Sequence, residues 1–214
     1  MKLTKFEHAC FTVEKDGQVL VVDPGAFTTD FVIPVGVVAI FITHEHPDHF
    51  DKSRLQAIVD KNPDAVILAH ESITSQLSGF KTQAVTANEG IKIGEFELEF
   101  FGGKHAMITP ERPIVPNLGI LINKRVYYPG DSFTIPETYT IDVLALPVGA
   151  PWLKISETVD FLQQVKPRLA FPTHDGVLSA FGKSLPDRML PDVATTVGST
   201  YQRLVEPIEI QDTP

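Results

Sequence analysis

An unbroken apolar run over residues 37–42 leads directly into a group of side chains that can bind metal. The run predicts a fully buried strand, and α/β proteins usually place their sites just beyond such strands. The next seven residues contain four metal-competent side chains: His44, His46, Asp48 and His49. Because side chains alternate along an extended segment, the first two histidines face the same side and can hold one cation. Pro47 then redirects the chain, so Asp48 and His49 can bind a second cation.

Four further residues with suitable side chains each stand at the end of a predicted strand. Asp23 ends the run that starts at residue 19, and Asp131 follows the short strand over residues 125–128. His105 follows the strand over residues 96–101, and His174 follows the apolar segment that starts at residue 169. The His-x-His-x-Asp-His pattern and these residues, in this order, resemble the metallo-β-lactamase superfamily of metal-dependent hydrolases.

The resemblance implies both a fold and a ligand set. The fold would be of the α/β class, the four-layer αββα sandwich of that superfamily, with the metals at one edge of the two sheets. One ion would be held by His44, His46 and His105, a second ion by Asp48, His49 and His174, and Asp131 would bridge the two. The superfamily carries a structural aspartate at the position of Asp23.

The chemistry of these residues agrees with two catalytic metals. Five imidazoles and two carboxylates form a nitrogen-rich ligand set, which suits Zn²⁺ and tolerates Mn or Fe. Cys10 is the only cysteine, which excludes a structural zinc site made of thiolates. With the ligands divided as the resemblance implies, each ion keeps an open position. Two cations that share an oxygen lower the pKa of the bound water and generate hydroxide near neutral pH.

The function favoured by this site is a hydrolase that uses the shared hydroxide on a small-molecule substrate. The bond would be an ester, lactone, thioester or phosphodiester, with lactonase or phosphodiesterase activity preferred. Asp48 would be the catalytic residue that orients the hydroxide and carries a proton to the leaving group. Flavodiiron redox proteins share the fold, but they replace a histidine of the first motif by a carboxylate and need a flavin domain, whereas His46 is intact. A metal-binding protein without catalytic activity stays open as an alternative.

Two residues outside the ligand set are candidates for substrate binding. His8 matches a histidine near the start of a subgroup that includes ascorbate-phosphate lactonase-like proteins and phospholipase-D-like phosphodiesterases. It would lie near the substrate or support a metal ligand; the alternative is a structural histidine at a strand edge. Trp152 lies in a Pro/Gly-rich loop, where it would form a pocket wall or anchor the loop. His70 and Glu45 match no ligand, and His70 is predicted to mark a helix entry.

Composition favours one soluble domain over residues 1–214. Hydrophobic residues make up 43% and charged residues 21%, which is ordinary for a globular protein. No apolar run is long enough to span a membrane, no signal segment is visible, and a single cysteine fits a reducing cytoplasm. The net charge is −9, and the sequence shows no basic cluster of the kind that neutralises phosphates, so no nucleic-acid partner is expected. The oligomeric state is not readable from the sequence.

Turn signals and periodicity predict the remaining elements. Asp16 and Gly17 mark a two-residue hairpin between strands over residues 10–14 and 18–23. A helix over residues 51–59 begins at an Asp or Ser N-cap, and another helix spans residues 156–164. The last helix is predicted over residues 193–204, followed by a closing strand over residues 207–210.

Overall fold

The computed structural model describes residues 1–211 and contains two facing β-sheets. The first sheet consists of β1 (Lys2–Lys5), β2 (Phe11–Lys15), β3 (Gln18–Val22), β4 (Val37–Ile42), β5 (Val66–Ala69), β6 (Thr82–Ala84) and the closing strand β14 (Ile208–Glu209). Its spatial order is β14-β1-β2-β3-β4-β5-β6. The strands from β14 to β3 are antiparallel neighbours, and those from β3 to β6 are parallel. The predicted hairpin joins β2 to β3.

The second sheet repeats this plan. It consists of β7 (Gly90–Ile93), β8 (Phe96–Gly102), β9 (Leu118–Ile122), β10 (Val126–Tyr128), β11 (Val143–Pro147), β12 (Leu169–Thr173) and β13 (Thr200–Tyr201). The spatial order is β13-β12-β11-β10-β9-β8-β7, antiparallel from β7 to β10 and parallel from β10 to β13. Parallel strands place their carboxyl ends at a common edge, which is where α/β sheets bind ligands.

Helices cover the outer faces of both sheets. They are α1 (Lys52–Lys61), α2 (Glu71–Thr74), α3 (Ile155–Val165) and α4 (Ala180–Thr196). α1 buries Leu55 and Ile58 against the first sheet, and α3 and α4 bury Phe161 and Leu190 against the second. The predicted four-layer αββα sandwich is therefore confirmed. Within residues 1–211, no helix combines the length and the apolar character that a membrane crossing requires.

Aromatic side chains join the two sheets through the central core. Phe41 of β4 and Phe100 of β8 stack with their ring centroids 5.3 Å apart. Phe11 of β2 meets Tyr128 of β10 edge-on at 5.6 Å. Such pairs contribute about 0.5–1.5 kcal/mol beyond the apolar area that they bury. Because β4, β8 and β10 each lead into a predicted metal ligand, the same contacts set the spacing between ligands.

The last helix is not where the sequence pattern predicted it. α4 covers residues 180–196, so the predicted helix over residues 193–204 is wrong over most of its length. Pro186 and Pro191 lie inside α4, and each removes a backbone donor and interrupts the helical pattern. The helix persists because its inner face, which includes Leu190, is buried against the second sheet. Gly198, with φ of 75°, follows the helix, and β13 begins two residues later.

Candidate metal centre

The seven predicted metal ligands converge at the edge where the parallel strands end. His44, His105, Asp131 and His174 follow the carboxyl ends of β4, β8, β10 and β12, respectively. Asp48 and His49 are brought in by a tight turn, in which the backbone N–H of His49 donates to the carbonyl oxygen of His46 at 3.0 Å. Both sheets therefore contribute ligands to a single site.

The first of two clusters consists of His44, His46, His105 and Asp131. Each offers one ligand atom, and these atoms lie within 4.8 Å of one another. His44 Nε2 is 3.1 Å from His46 Nδ1, and His105 Nε2 is 3.2 Å from Asp131 Oδ2. Three imidazoles and one carboxylate at these distances fit a tetrahedral cation of the zinc type.

The second cluster consists of His8, Asp48, His49 and His174, whose ligand atoms also lie within 4.8 Å of one another. His174 Nε2 is 3.4 Å from Asp48 Oδ2. Asp131 belongs to the first cluster, where its Oδ2 is 3.2 Å from His105 Nε2, and it also reaches the second, because its Oδ1 is 3.3 Å from His49 Nε2 and its Oδ2 is 2.9 Å from His174 Nε2. The carboxylate that the resemblance assigns as a bridge therefore contacts histidines of both clusters.

Hydrogen bonds behind the histidines aim their Nε2 atoms at the site. In four of them Nδ1 is hydrogen-bonded to an oxygen atom: His44 to Thr43 Oγ1 at 2.9 Å, His49 to Asp23 Oδ2 at 2.7 Å, His105 to the Ala106 carbonyl at 2.5 Å and His174 to the Gly149 carbonyl at 2.6 Å. These bonds fix the ring orientation and the tautomer, as the outer partners of metal-binding histidines commonly do. Sequence reasoning did not find Thr43 or Gly149, although Thr43 directly precedes the motif.

Asp23 is a buried residue that accepts hydrogen bonds from Thr43 and from His49. Its Oδ1 accepts from the backbone N–H of Thr43 at 2.8 Å, and its Oδ2 accepts from the Thr43 hydroxyl at 2.7 Å. Oδ2 also accepts from His49 Nδ1, so one carboxylate orients groups next to both clusters. Asp23 has φ of 45°, a left-handed conformation that non-glycine residues adopt mainly under structural constraint.

Unpartnered buried atoms indicate what the site is built to hold. His49 Nε2, His105 Nε2, His174 Nε2 and Asp131 Oδ1 are buried and have no hydrogen-bond partner among residues 1–211. Buried polar atoms without partners are rare, because each leaves its desolvation uncompensated. All four atoms face the two clusters, and divalent cations would satisfy them. The residues present therefore fit metal ions.

Burial lowers the pKa of a histidine in this site, whereas a neighbouring carboxylate raises it. Burial lowers the pKa of His44 well below its ordinary value and also lowers the pKa of His46. Burial likewise opposes charge on His174, but the adjacent Asp131 carboxylate outweighs it and raises the pKa of His174 well above its ordinary value. A cation that binds between His174 and Asp131 must displace a proton, so metal binding is coupled to proton release.

His8 is fully buried, and its neighbours fix its tautomer. The backbone N–H of Gly176 donates to His8 Nδ1 at 3.1 Å, so the proton of the neutral ring is on Nε2. This Nε2 donates to Asp48 Oδ2 at 3.0 Å. A Cβ at position 176 would lie 3.0 Å from His8 Nδ1, so a side chain there would push the imidazole ring out of its present position. His8 therefore positions Asp48, although its ring also lies within the second cluster.

Trp152 is nearly buried, and its indole reaches the centre of the site. Its Nε1–H donates to Asp131 Oδ2 at 2.8 Å. The ring also lies edge-on to Phe133, with the centroids 5.4 Å apart. The hydrogen bond to the carboxylate is a contact that neither of the two predicted roles, pocket wall or loop anchor, included. This contact joins residues far apart in the chain and leaves no local sequence signal.

Trp152→Phe tests this hydrogen bond, since it removes the N–H and keeps an aromatic ring. Outer partners of metal ligands typically change metal affinity or activity by about 10–100-fold. We expect the zinc affinity to fall roughly tenfold, as measured by competition with a chromogenic chelator. Phe133→Leu, which alters the neighbouring ring and leaves Asp131 untouched, serves as the control. Equal losses in the two variants would contradict a specific role for the indole N–H.

A cavity of about 200 Å³ opens onto the two clusters. Its walls combine site residues with Pro47, Ile108, Arg112, Pro151 and Trp152. Arg112 is exposed, and it forms no ion pair within the described part of the chain. His8 is not among the lining residues, so a substrate in this cavity would meet Asp48 rather than His8.

Two residues that were predicted not to be metal ligands, His70 and Glu45, lie outside both clusters. His70 is the N-cap of α2, where its Nδ1 accepts from the backbone N–H of Ser72 at 3.1 Å. This confirms the predicted helix entry. Glu45 lies inside the first motif but belongs to neither cluster. Both residues are suitable controls for substitutions within the site.

The chain matches the family described as the beta-lactamase superfamily domain over residues 2–174. The chain belongs to the metallo-β-lactamase superfamily. Among its relatives, protein Rv0786c of Mycobacterium tuberculosis is 37% identical, with 92% of this chain and 94% of the relative covered. A UPF0173 metal-dependent hydrolase of Methanocaldococcus jannaschii is 25% identical, with 97% and 100% of the two chains covered.

A solved structure shares the fold of this protein. Igni18, described as a novel metallo hydrolase from the hyperthermophilic archaeon Ignicoccus hospitalis, has a TM-score of 0.75 to this protein. The similarity covers 98% of this chain and 99% of Igni18 at 19% sequence identity. At this identity the similarity shows the fold alone, and that fold is the sandwich described above.

Proposed function

We propose that this protein is a metal-dependent hydrolase that binds two divalent cations, with Zn²⁺ as the preferred ion. The observation that carries the proposal is Asp131, a buried carboxylate with one oxygen 3.3 Å from His49 and the other 2.9 Å from His174 and 3.2 Å from His105. The unpartnered Nε2 atoms around it support two cation positions. The first ion would be held by His44, His46 and His105, the second by Asp48, His49 and His174, with Asp131 between them.

The protein and the ions would divide the chemistry between them. When bound, the two cations supply a nucleophile by lowering the pKa of water, and they polarise the bond that is broken. Asp131 and the histidines would hold the two cations in place. The hydrogen bond from Trp152 Nε1 to Asp131 Oδ2 would help to orient the carboxylate that the two ions share.

Asp48 is the residue placed to handle protons. Burial would raise its pKa, but the neighbouring imidazoles of His174 and His8 outweigh burial and hold the pKa of Asp48 well below its ordinary value. Asp48 therefore stays ionised at neutral pH and accepts hydrogen bonds. From its position on the cavity wall it would orient the attacking water and pass a proton towards the leaving group.

The cavity favours a small substrate with an anionic group. Its volume of about 200 Å³ suits a compact molecule with an ester, lactone, thioester or phosphodiester bond. Arg112 offers a guanidinium for a carboxylate or phosphate oxygen of such a substrate, while Ile108 offers an apolar contact. The scissile bond would face the two clusters.

A substrate screen with the zinc-loaded and manganese-loaded protein tests the proposal. The panel should contain lactones, thioesters, p-nitrophenyl esters and bis-p-nitrophenyl phosphate, each as a neutral compound paired with a carboxylate-bearing analogue. We expect metal-dependent turnover of at least one bond type and a lower KM for the charged member of that pair. His46→Ala, loaded in the same way, controls for contaminating hydrolases. Turnover that persists in this variant, or no turnover of any class, would contradict the proposal.

A further inference from the structure

A second, larger cavity lies at the edge of the sandwich opposite the metal centre. Its volume is about 890 Å³. Arg125, Asp142 and Arg168 line it, and each directly precedes β10, β11 or β12. The cavity is therefore at the amino ends of the strands whose carboxyl ends carry the metal centre. It shares no lining residue with the cavity over the two metal clusters.

This cavity is strongly basic, whereas the whole chain is acidic. Six cationic side chains line it: Lys15, Lys92, Lys124, Arg125, Lys166 and Arg168. Three acidic side chains line it as well: Glu95, Glu97 and Asp142. Six minus three leaves an excess of three positive charges, against a net charge of −9 for the chain. The sequence shows no basic cluster, and the fold brings these side chains together from distant parts of the chain.

The lysines are the cations that remain available to a ligand. Asp142 forms ion pairs with both arginines: its Oδ1 is 2.6 Å from Arg168 Nε, and its Oδ2 is 3.9 Å from a terminal nitrogen of Arg125. None of the four lysines forms an ion pair with a residue in the range 1–211. Unpaired like charges around one concave surface repel one another, and a bound anion would relieve that repulsion.

Two of these lysines occupy backbone positions that favour glycine. The β9–β10 hairpin turns through Asn123 and Lys124, with φ of 48° and 54°. Such a turn needs positive φ at both central residues, and glycine is preferred at the second. Lys166 ends α3 with φ of 50°, where glycine is again usual. A lysine in the left-handed region costs free energy, and strained residues of this kind concentrate at functional sites.

We propose that this cavity binds a small polyphosphate. Lysine ammonium groups are compact point charges that bind phosphate oxygens, and Asp142 already engages both arginines, so the lysines are the groups left to hold an anion. Within residues 1–211, no aromatic side chain lines the cavity, so the described site has no surface for stacking a nucleobase. The volume lies within the range of small-molecule sites. The ligand class is therefore defined by its phosphates.

Isothermal titration with inorganic tripolyphosphate tests this proposal, carried out on the metal-loaded protein and on the chelator-treated protein, because tripolyphosphate also binds divalent cations; binding at the cavity is the part that both forms share. We expect one tripolyphosphate per chain at the cavity, bound more weakly as the salt concentration rises. Lys124→Gly combined with Lys166→Gly removes two charges and places glycine where the backbone favours it. This variant should bind roughly tenfold more weakly or worse, while its melting temperature stays the same or rises. A loss of binding would then not be a loss of folding.

The matched control is Lys52→Ala combined with Lys81→Ala, which removes the same charge from exposed positions outside the cavity. It should bind tripolyphosphate with wild-type affinity. The proposal is overturned if tripolyphosphate does not bind at millimolar concentration, if the glycine variant binds as tightly as wild type, or if the control loses as much affinity. Equal affinity for citrate, a carboxylate anion of similar charge, would overturn the assignment to phosphates.

Discussion

Asp131→Ala is expected to abolish hydrolysis and to strip the site of most of its metal. Asp131 contacts histidines of both clusters, so its loss removes a ligand from each cation position at once. An incomplete coordination sphere lowers metal affinity directly. We expect the rate on any substrate found by screening to fall by roughly a thousandfold or more, since groups that act as a unit fail together. Rate assays and elemental analysis of the same preparation measure both effects.

His70→Ala is the control for this result. It removes another histidine near the end of a strand, but His70 caps α2 and belongs to neither cluster. The loss of this cap should cost about 1 kcal/mol of folding stability and leave the metal content unchanged. If His70→Ala lost as much metal as Asp131→Ala, or if Asp131→Ala kept both metal and activity, the ligand assignment would be wrong.

Asp48→Asn should separate metal binding from catalysis. The change keeps the shape and one oxygen but removes the negative charge, so metal content should fall only in part. The proton-accepting oxygen that His8 now holds at 3.0 Å would be lost, and kcat should fall by roughly a hundredfold or more. Steady-state rates, normalised to the metal bound in each preparation, measure this difference.

Glu45→Gln is the matched control, since it makes the same kind of change within the same motif at a residue outside both clusters. It should keep the wild-type kcat. A second variant, His8→Phe, leaves Asp48 charged but removes its donor, and we expect an intermediate loss of kcat. Full kcat in a metal-loaded Asp48→Asn protein would remove Asp48 from the mechanism.

The parts of the site that follow from local rules could be predicted from the sequence. Alternation along a strand end brings His44 and His46 together, and the turn at His49 lies next to them in the chain. Asp131 and His174 were placed by their position after strands and by family resemblance. Strands and helices with uninterrupted patterns, such as β4 and α1, also appeared close to their predicted bounds.

The features that the sequence did not show depend on contacts between distant residues. The tautomer of His8 is set by Gly176, 168 positions away, and the Asp131 carboxylate is held by Trp152 from another loop. The basic cavity likewise exists only once separate turns meet. α4 was missed for a different reason, because two prolines break its pattern while burial maintains the helix. Tertiary packing overrides local preference in such a case.

Metal stoichiometry tests the central claim most directly. The purified protein should be stripped with a chelator, reloaded with a small excess of Zn²⁺, desalted and analysed for metal and protein in the same sample. The two clusters predict close to two zinc ions per chain, and a melting temperature that rises on loading because the folded state alone offers the assembled site. A protein that retains no zinc after reloading, and whose melting temperature does not change, would contradict the assignment of this site as a metal centre.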